Sequence, residues 1–592
     1  MNLAVKRLPS LLALLLSVGG IYLHAYELDK KFRRPVALAL TENGMLAVGN
    51  RDSGSVSLIN LPQREVIFEI DVGLGVSDLR TIPGGPYLVA TDEEASELIL
   101  LETRGQAGEL IVRRRVSTPH SPVGVEVAKS GAFMTVTSLW SRRVSLFRFD
   151  PDRRTLRRDR VADLPFPPRL QWMDDAGERL VVCDAFADKV AILSLPDLRL
   201  LGTRRLPGHN VGGISRGPKG EQLLFSHQIL NPFAPTLKPR VFWGTVMKNG
   251  LTGVKFDELF DGSRKRESPF FRRTFYPVGA NGKGAGEPGT ILFTKAGVII
   301  LAIRGTGEIG IGTSLDEPWT RFHVGSRMTS GVLGLNEKFA YFADPYGEAI
   351  RIIDVEKRSF VGSVSLGPTP EPGLLQRGEA LFHDSNLSLD GWYSCNSCHT
   401  GGHTSGQLND NFDDHSFGTP KRIPSLLGTA ETGPWTWSGL QGSLTTQVRQ
   451  SLATTLRNGD RKVGLATHLD EEALVAYLFT LPLPPPLSEA REEPHNPEAL
   501  RGKLLFTKLG CNECHRAPLF TSPDEYDVGL EDESGQRKFN PPTLHGVSQR
   551  DHFFHDGSAG SIAEVLDAAG HPDGGGLTSH QRDGLVAYLR SL

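Results

Sequence analysis

Cys395-Asn396-Ser397-Cys398-His399 and Cys511-Asn512-Glu513-Cys514-His515 are two copies of one pattern, Cys-x-x-Cys-His. The spacing has a chemical reason. Two thiols bracket one edge of a porphyrin and add across its two vinyl groups, and the next residue offers an imidazole to iron. A single Cys-x-x-Cys also serves as a redox dithiol or as half a zinc site. Two runs, each followed at once by histidine, read as attachment sites for two covalently bound haem c groups. Cys395, Cys398, Cys511 and Cys514 are then the thioether positions, and His399 and His515 the iron ligands.

The surrounding chain has 592 residues, too many for one core, so several domains are expected. A net charge of −3 gives no support for nucleic-acid binding. The arginines at 153, 154, 157, 158 and 160 read as a solvated hairpin. The fifth cysteine, Cys183, lies in Leu180-Val181-Val182-Cys183-Asp184 and reads as a buried strand thiol. Residues 1–25 carry the pattern of a secretory signal: Lys6 and Arg7, an apolar run from Leu11 to Leu23, and Ala25 as a small residue for cleavage. Leu23 is a poor fit to the cleavage pattern, which leaves an uncleaved anchor open. Export suits covalent haem, and the sequence reads as periplasmic.

Residues 26–366 repeat. Pro35-Val36-Ala37-Leu38-Ala39-Leu40, Pro122-Val123-Gly124-Val125-Glu126-Val127 and Pro168-Arg169-Leu170-Gln171-Trp172-Met173 open three units, and a weaker copy starts near Val76. The openings at 35, 76, 122 and 168 give a period of roughly 40–46 residues, that of four-stranded propeller blades. Further units near Gly212–His227, Gly289–Gly312 and Gly331–Phe360 bring the count to seven. Residues 228–288 break the repeat and read as a long loop over the propeller channel or against the haem half. His120, His209, His227 and His323 read as separate structural histidines rather than one metal site. The blade pattern resembles the propellers of the quinoprotein and surface-layer repeat families.

A stiff linker, residues 367–376, precedes a half of different character. Here Arg377-Gly378-Glu379-Ala380-Leu381-Phe382 matches Arg501-Gly502-Lys503-Leu504-Leu505-Phe506. Pro424-Ser425-Leu426-Leu427-Gly428 matches Pro542-Thr543-Leu544-His545-Gly546, and Trp437-Ser438-Gly439 matches His555-Asp556-Gly557. The expected architecture is therefore an all-β propeller followed by two all-α cytochrome c domains, residues 377–482 and 499–592. A proline-rich connector, residues 483–498, lies between them.

With Leu387-Ser388-Leu389-Asp390-Gly391, Cys514-His515-Arg516-Ala517-Pro518-Leu519-Phe520-Thr521 and Phe554-His555-Asp556-Gly557-Ser558, residues 374–592 resemble the bacterial di-haem cytochrome c peroxidases. They also resemble the relatives of that family that mature methylamine dehydrogenase. The resemblance implies a first haem that meets peroxide and a second that relays an electron. It also implies a periplasmic redox partner, such as a small cytochrome c or a cupredoxin.

Two departures from the family stand out. Its distal Gln and Glu fall on Trp435 and Thr445, beside Trp437, so the distal acid is missing; Asp413, Asp414 and Glu431 are the nearest carboxylates. Phe417 falls near the family's inter-haem tryptophan. No methionine follows Met328, so neither haem draws a methionine ligand from this half. Ala569 stands at the family's methionine position. His571 is the candidate sixth ligand of the second haem, with a solvent-exposed loop histidine as the alternative; His403 and His415, or an open position, are the candidates for the first. His555 reads as structural. The run Asp410, Asn411, Asp413, Asp414 reads as a solvated loop, with a Ca2+ site as the lesser alternative.

Three functions fit: a peroxidase-like oxidoreductase, an electron-transfer protein whose propeller docks a redox partner, and a propeller-based reductase with a further cofactor in the channel. The third is disfavoured because the cytochromes come last in the chain.

Overall fold

The computed structural model describes the chain except residues 1–30, 106–107, 262–267, 271–272, 413, 462–463, 495, 569–570 and 572–575. The expected signal segment, Asp413 and Ala569 lie outside the described residues.

Seven sheets follow one another, each of four antiparallel strands and one with a short fifth strand added, with first strands beginning at Pro35, Val76, Pro122, Pro168, His209, Pro288 and Gly331. Each sheet is ordered as the chain runs, so the units are the blades of a propeller. Period-two alternation sends successive side chains to opposite faces of a blade. Leu46 and Val48 of blade 1 therefore pack with Tyr341 and Ile350 of blade 7. Ala47, between them, packs with Val76 and Leu79 of blade 2. Both faces are buried between neighbours, which is why the inner strands are nearly continuous apolar runs while the outermost, such as Glu109–Ser117, are mixed.

The segment 228–288 is a correction. It is not one loop: it supplies the third and fourth strands of blade 5, Met247–Lys255 and Arg273–Pro277, and a short strand, Ser268–Pro269, added to blade 4. Its true insertion is the stretch between Leu230 and Met247, which carries the helix Lys238–Phe242. Cys183 is fully buried in its strand.

Beyond the propeller come two lobes of one plan. Helix Leu374–Phe382 crosses helix His468–Leu478 in the first, and Pro497–Lys508 crosses Ser579–Leu589 in the second. Both crossings pivot on glycine. A Cβ on Gly378 would collide with the Ala473 carbonyl, and one on Gly502 with the Gly584 carbonyl. The isolated bridge Trp435–Gln441 recurs as Phe553–Ala559. The lobes are not purely helical. Each carries a two-stranded ladder, Leu408–Asn409 with Lys421–Arg422 and Tyr526–Asp527 with Lys538–Phe539.

The lobes sit on the propeller face formed by the loops between second and third strands and by the connections into each first strand. Arg142 Nη1 meets Asp551 at 3.0 Å, and Gln549 Nε2 donates to the Trp140 carbonyl at 2.8 Å. Asn249 Nδ2 donates to the Trp392 carbonyl at 2.9 Å. The Gly-rich run ending at Gly286 lies against the first lobe, with Gly286 N donating to the Gly391 carbonyl at 3.0 Å.

Candidate haem sites

Each Cys-x-x-Cys run forms a single helical turn, Cys395–Cys398 and Cys511–Cys514, so its two thiols stand one turn apart on one side. The histidine that follows leaves the helix, and its ring is oriented from behind. His399 Nδ1 lies 2.9 Å from the Pro424 carbonyl, and His515 Nδ1 lies 3.1 Å from that of Phe520. A carbonyl only accepts, so Nδ1 carries the proton in both rings and the Nε2 lone pair is left for a metal. Burial holds both imidazoles well below the ordinary range, at about 4, which keeps them neutral as ligation requires. Pro424 opens the Pro-Ser-Leu repeat, and its carbonyl fixes the tautomer of His399.

The dithiol and zinc readings fit poorly. Burial pushes the Cys395 and Cys398 thiols up to about 12, the opposite of a reactive thiolate. Among the described residues no group of three or more His, Cys, Asp or Glu is placed to hold a metal ion.

A cleft in the first lobe is lined by Cys395, Cys398 and His399 together with apolar Phe382, Leu444, Val448, Leu452, Leu474 and Trp435. Arg422, and Arg550 from the second lobe, also line it. Burial lowers Arg422 to about 9 and Arg550 to about 10, and burial alone acts on Arg550. An apolar slot with two thiols, a neutral imidazole and two buried guanidiniums fits haem c, whose two propionates would supply the missing negative charge.

The lining separates the distal candidates. Trp435 and Trp437 belong to it; Thr445 does not. The helix Leu444–Gln450 runs on into a π-helical turn, Ser451–Thr455. Leu444, Gln447, Val448, Ser451, Leu452 and Thr455 form the stripe facing the cleft, at helical spacing. Thr445, one residue past Leu444, is turned off that stripe. Gln447 is the residue that sequence comparison missed. Its Nε2 donates to Ser451 Oγ at 3.1 Å, and its buried Oε1 has no hydrogen-bond partner. The Trp435 indole N–H is spent on Thr429 Oγ1 at 3.0 Å, and that of Trp437 on the Arg422 carbonyl at 2.6 Å. Among the described residues Asp414 is the one carboxylate in the lining, and it is engaged by Lys421, Ser416 and Thr419. Glu431 is outside the lining.

His403 is removed from the ligand set. It is buried against Trp140 and Phe186, with Nε2 3.2 Å from the Gln549 carbonyl and Nδ1 2.8 Å from Ser425 Oγ. Nε2 must donate to the carbonyl and Nδ1 must then accept, which leaves no lone pair for iron. His415 packs edge-on to Phe412 and is outside the cleft lining. His555 is buried and stacked on Phe539 at 4.2 Å. Phe417 packs on Phe412. In the second lobe, His571 lies edge-on to His515, with ring centroids 6.4 Å apart and planes at 85°. Where Ca2+ was the lesser expectation, Lys421 already supplies a cation between Asp414 and Asp532.

Residues 374–491 match the family model of the di-haem cytochrome c peroxidases. The methylamine utilization protein MauG of Methylorubrum extorquens is 28% identical over 287 residues, covering 38% of this chain and 78% of that protein. The gamma subunit of hydrazine synthase from Kuenenia stuttgartiensis is 25% identical over 275 residues, covering 37% and 77%. The cytochrome c551 peroxidase of Nitrosomonas europaea is 22% identical over 273 residues, covering 38% and 81%. Residues 374–491 thus match a di-haem cytochrome c peroxidase domain, carried behind a seven-bladed β-propeller.

Proposed function

We propose that the protein is an exported, periplasmic di-haem c-type cytochrome with peroxidase-like oxidoreductase activity. The site at Cys395, Cys398 and His399 is the reactive one, and the site at Cys511, Cys514 and His515 is the electron relay. The contrast between the two sites carries this reading. In the second lobe His515 and His571 would together hold the haem, each as an imidazole ligand. His515 and His571 are 6.4 Å apart, which suits a saturated relay site. Among the described residues the cleft at the first site is lined by one histidine, His399, and no methionine, which suits an open position.

Bound there, haem c supplies an iron that changes oxidation state and takes a small ligand such as peroxide. The unpaired Gln447 Oε1 is available to accept a hydrogen bond from that ligand. Trp435 lines the cleft with its N–H engaged elsewhere, on Thr429. Among the described residues the one carboxylate in the lining is tied up with Lys421, so none of them stands ready to shuttle protons. Such a group is typically worth about 10²–10⁴-fold, so peroxide turnover is slow by the standard of a dedicated peroxidase. Slow turnover suits stepwise one-electron exchange with a periplasmic donor or acceptor such as a small cytochrome c or cupredoxin. The lobe-facing side of the propeller is already used by the chain's own haem half, so a partner docking on the propeller uses its rim or its opposite face.

The test is low-temperature EPR of the oxidised holoprotein before and after hydrogen peroxide. A high-spin ferric signal that peroxide removes, beside one strongly anisotropic low-spin signal, is the expected result. Two low-spin signals unchanged by peroxide would leave an electron-transfer protein without chemistry of its own.

A further inference from the structure

The first Cys-x-x-Cys turn is held from outside its own lobe. Glu287, which leads into the first strand of blade 6, has a side chain with 0% exposure. Its Oε2 accepts from Asn396 Nδ2 at 2.9 Å and from Arg327 Nη2 at 2.7 Å. Its Oε1 accepts from Ser394 Oγ. Ser394 and Asn396 are the two neighbours of Cys395. From blade 5, His209 Nε2 donates to the Ser397 carbonyl at 2.7 Å. Every residue beside the first cysteine, and the one before the second, is thus bonded to the propeller.

The carboxylate is charged. Burial opposes its ionisation, but Arg327 and Arg304 outweigh burial and hold it at about 2. Glu287 also takes φ 57°, a left-handed conformation that is costly for a residue with a side chain. There its own carbonyl accepts from Arg304 N at 3.0 Å. In the second turn the corresponding residues face water. Asn512 and Glu513 are exposed, so a charge there is screened by water.

We propose that Glu287 is a positioning residue for the first haem: the propeller fixes the attachment turn through it and, by placing a buried negative charge beside that turn, favours the oxidised state at His399. The inference rests on the reading of Cys395–His399 as a haem site. Ferric haem carries one more positive charge than ferrous haem, and in a low-dielectric interior a fixed anion stabilises the more positive state. Removing the anion leaves Arg304 and Arg327 uncompensated and makes reduction easier. Removing Arg327 does the reverse.

The experiment is a spectroelectrochemical titration of the holoprotein, with haem content measured on the same samples. Glu287→Gln is expected to keep two haems and to raise the reduced-to-oxidised ratio of the first haem about tenfold at fixed poise, about 59 mV for a one-electron couple. The second haem is expected not to move, and Glu287→Asp to stay near the wild type. Arg327→Gln is expected to shift the first haem about tenfold the other way, and it decides the matter if Glu287→Gln does not mature. Two haems with neither potential altered, or both altered alike, overturns the inference. A wild-type chain carrying fewer than two haems overturns the reading beneath it instead.

Discussion

Lys421 Nζ, in the first lobe, lies 2.9 Å from a carboxylate oxygen of Asp532 in the second, and it also pairs with Asp414. Both members of the inter-lobe pair are well buried, at 11% and 0% exposure. Lys421→Met leaves two carboxylates without their cation, which costs about 3 kcal/mol for a buried pair broken on one side. A urea titration of the holoprotein should show an earlier midpoint for the haem lobes; an unmoved midpoint would deny the pair a structural role.

The same pair sets an acid limit. Burial opposes ionisation of Asp532, but hydrogen bonds from Ser534 and Lys421 prevail and hold its carboxyl at about 2, below the ordinary 3.8. A depressed carboxyl contributes stability that is complete above its unfolded value and fades as pH falls through the folded one. Wild type should therefore lose stability between about pH 4 and pH 2 more steeply than Asp532→Asn. Parallel curves for the two would assign the acid sensitivity elsewhere.

His571→Ala should replace the anisotropic low-spin ferric signal by a high-spin one, because the imidazole that faces His515 at 6.4 Å is gone. Added imidazole should restore the low-spin form. An unchanged spectrum would remove His571 from the ligand set.

Gln447→Leu keeps the size of the side chain and removes its unpaired acceptor. Peroxide turnover should fall about 10²-fold, the scale of losing one well-placed hydrogen-bonding group. Thr445→Ala, off the stripe that faces the cleft, should leave turnover as it was. Equal effects of the two would mean that the stripe does not face the ligand.

Gly378→Ala and Gly502→Ala test the helix crossings. A helical Gly→Ala exchange on an open face gains up to about 1 kcal/mol. Here each new methyl would meet a facing carbonyl, Ala473 or Gly584, and forcing the helices apart costs about 1–3 kcal/mol. Thermal melts should show both variants less stable than wild type; a gain would show that the helices have room.

The seven blades were legible because inner strands such as Leu46–Asn50 are buried on both faces and so repeat as apolar runs. Of blade 5 only the first two strands were legible, because the insertion between Leu230 and Met247 separates its second and third strands beyond the period. The two Cys-x-x-Cys-His turns were legible because each is a local run of sequence that folds as one helical turn. Gln447 was hidden, since an offset of one or two residues on a helix changes which side chain faces the cleft. His403 was misplaced because nothing nearby in sequence reveals Gln549 as its partner. Glu287 was hidden for the same reason, 107 residues from Ser394.

The propeller ring closes without sharing a strand between its ends: blade 1 is built wholly from the first strands of the chain and blade 7 wholly from the last of the propeller. Side chains must join them. Arg33 and Arg34 present their backbone N–H groups to Glu348, at 2.8 and 3.1 Å. Glu379, on the first helix of the haem half, reaches back to Arg34 at 3.3 Å and Arg51 at 2.8 Å. Part of the clasp thus arrives only with the segment that carries the first haem. In a chain made from its N-terminus, Glu348 and the core shared by blades 1 and 7 can fasten the ring first, and docking of the first haem lobe then adds the Glu379 contacts as a second lock in the protein's biogenesis.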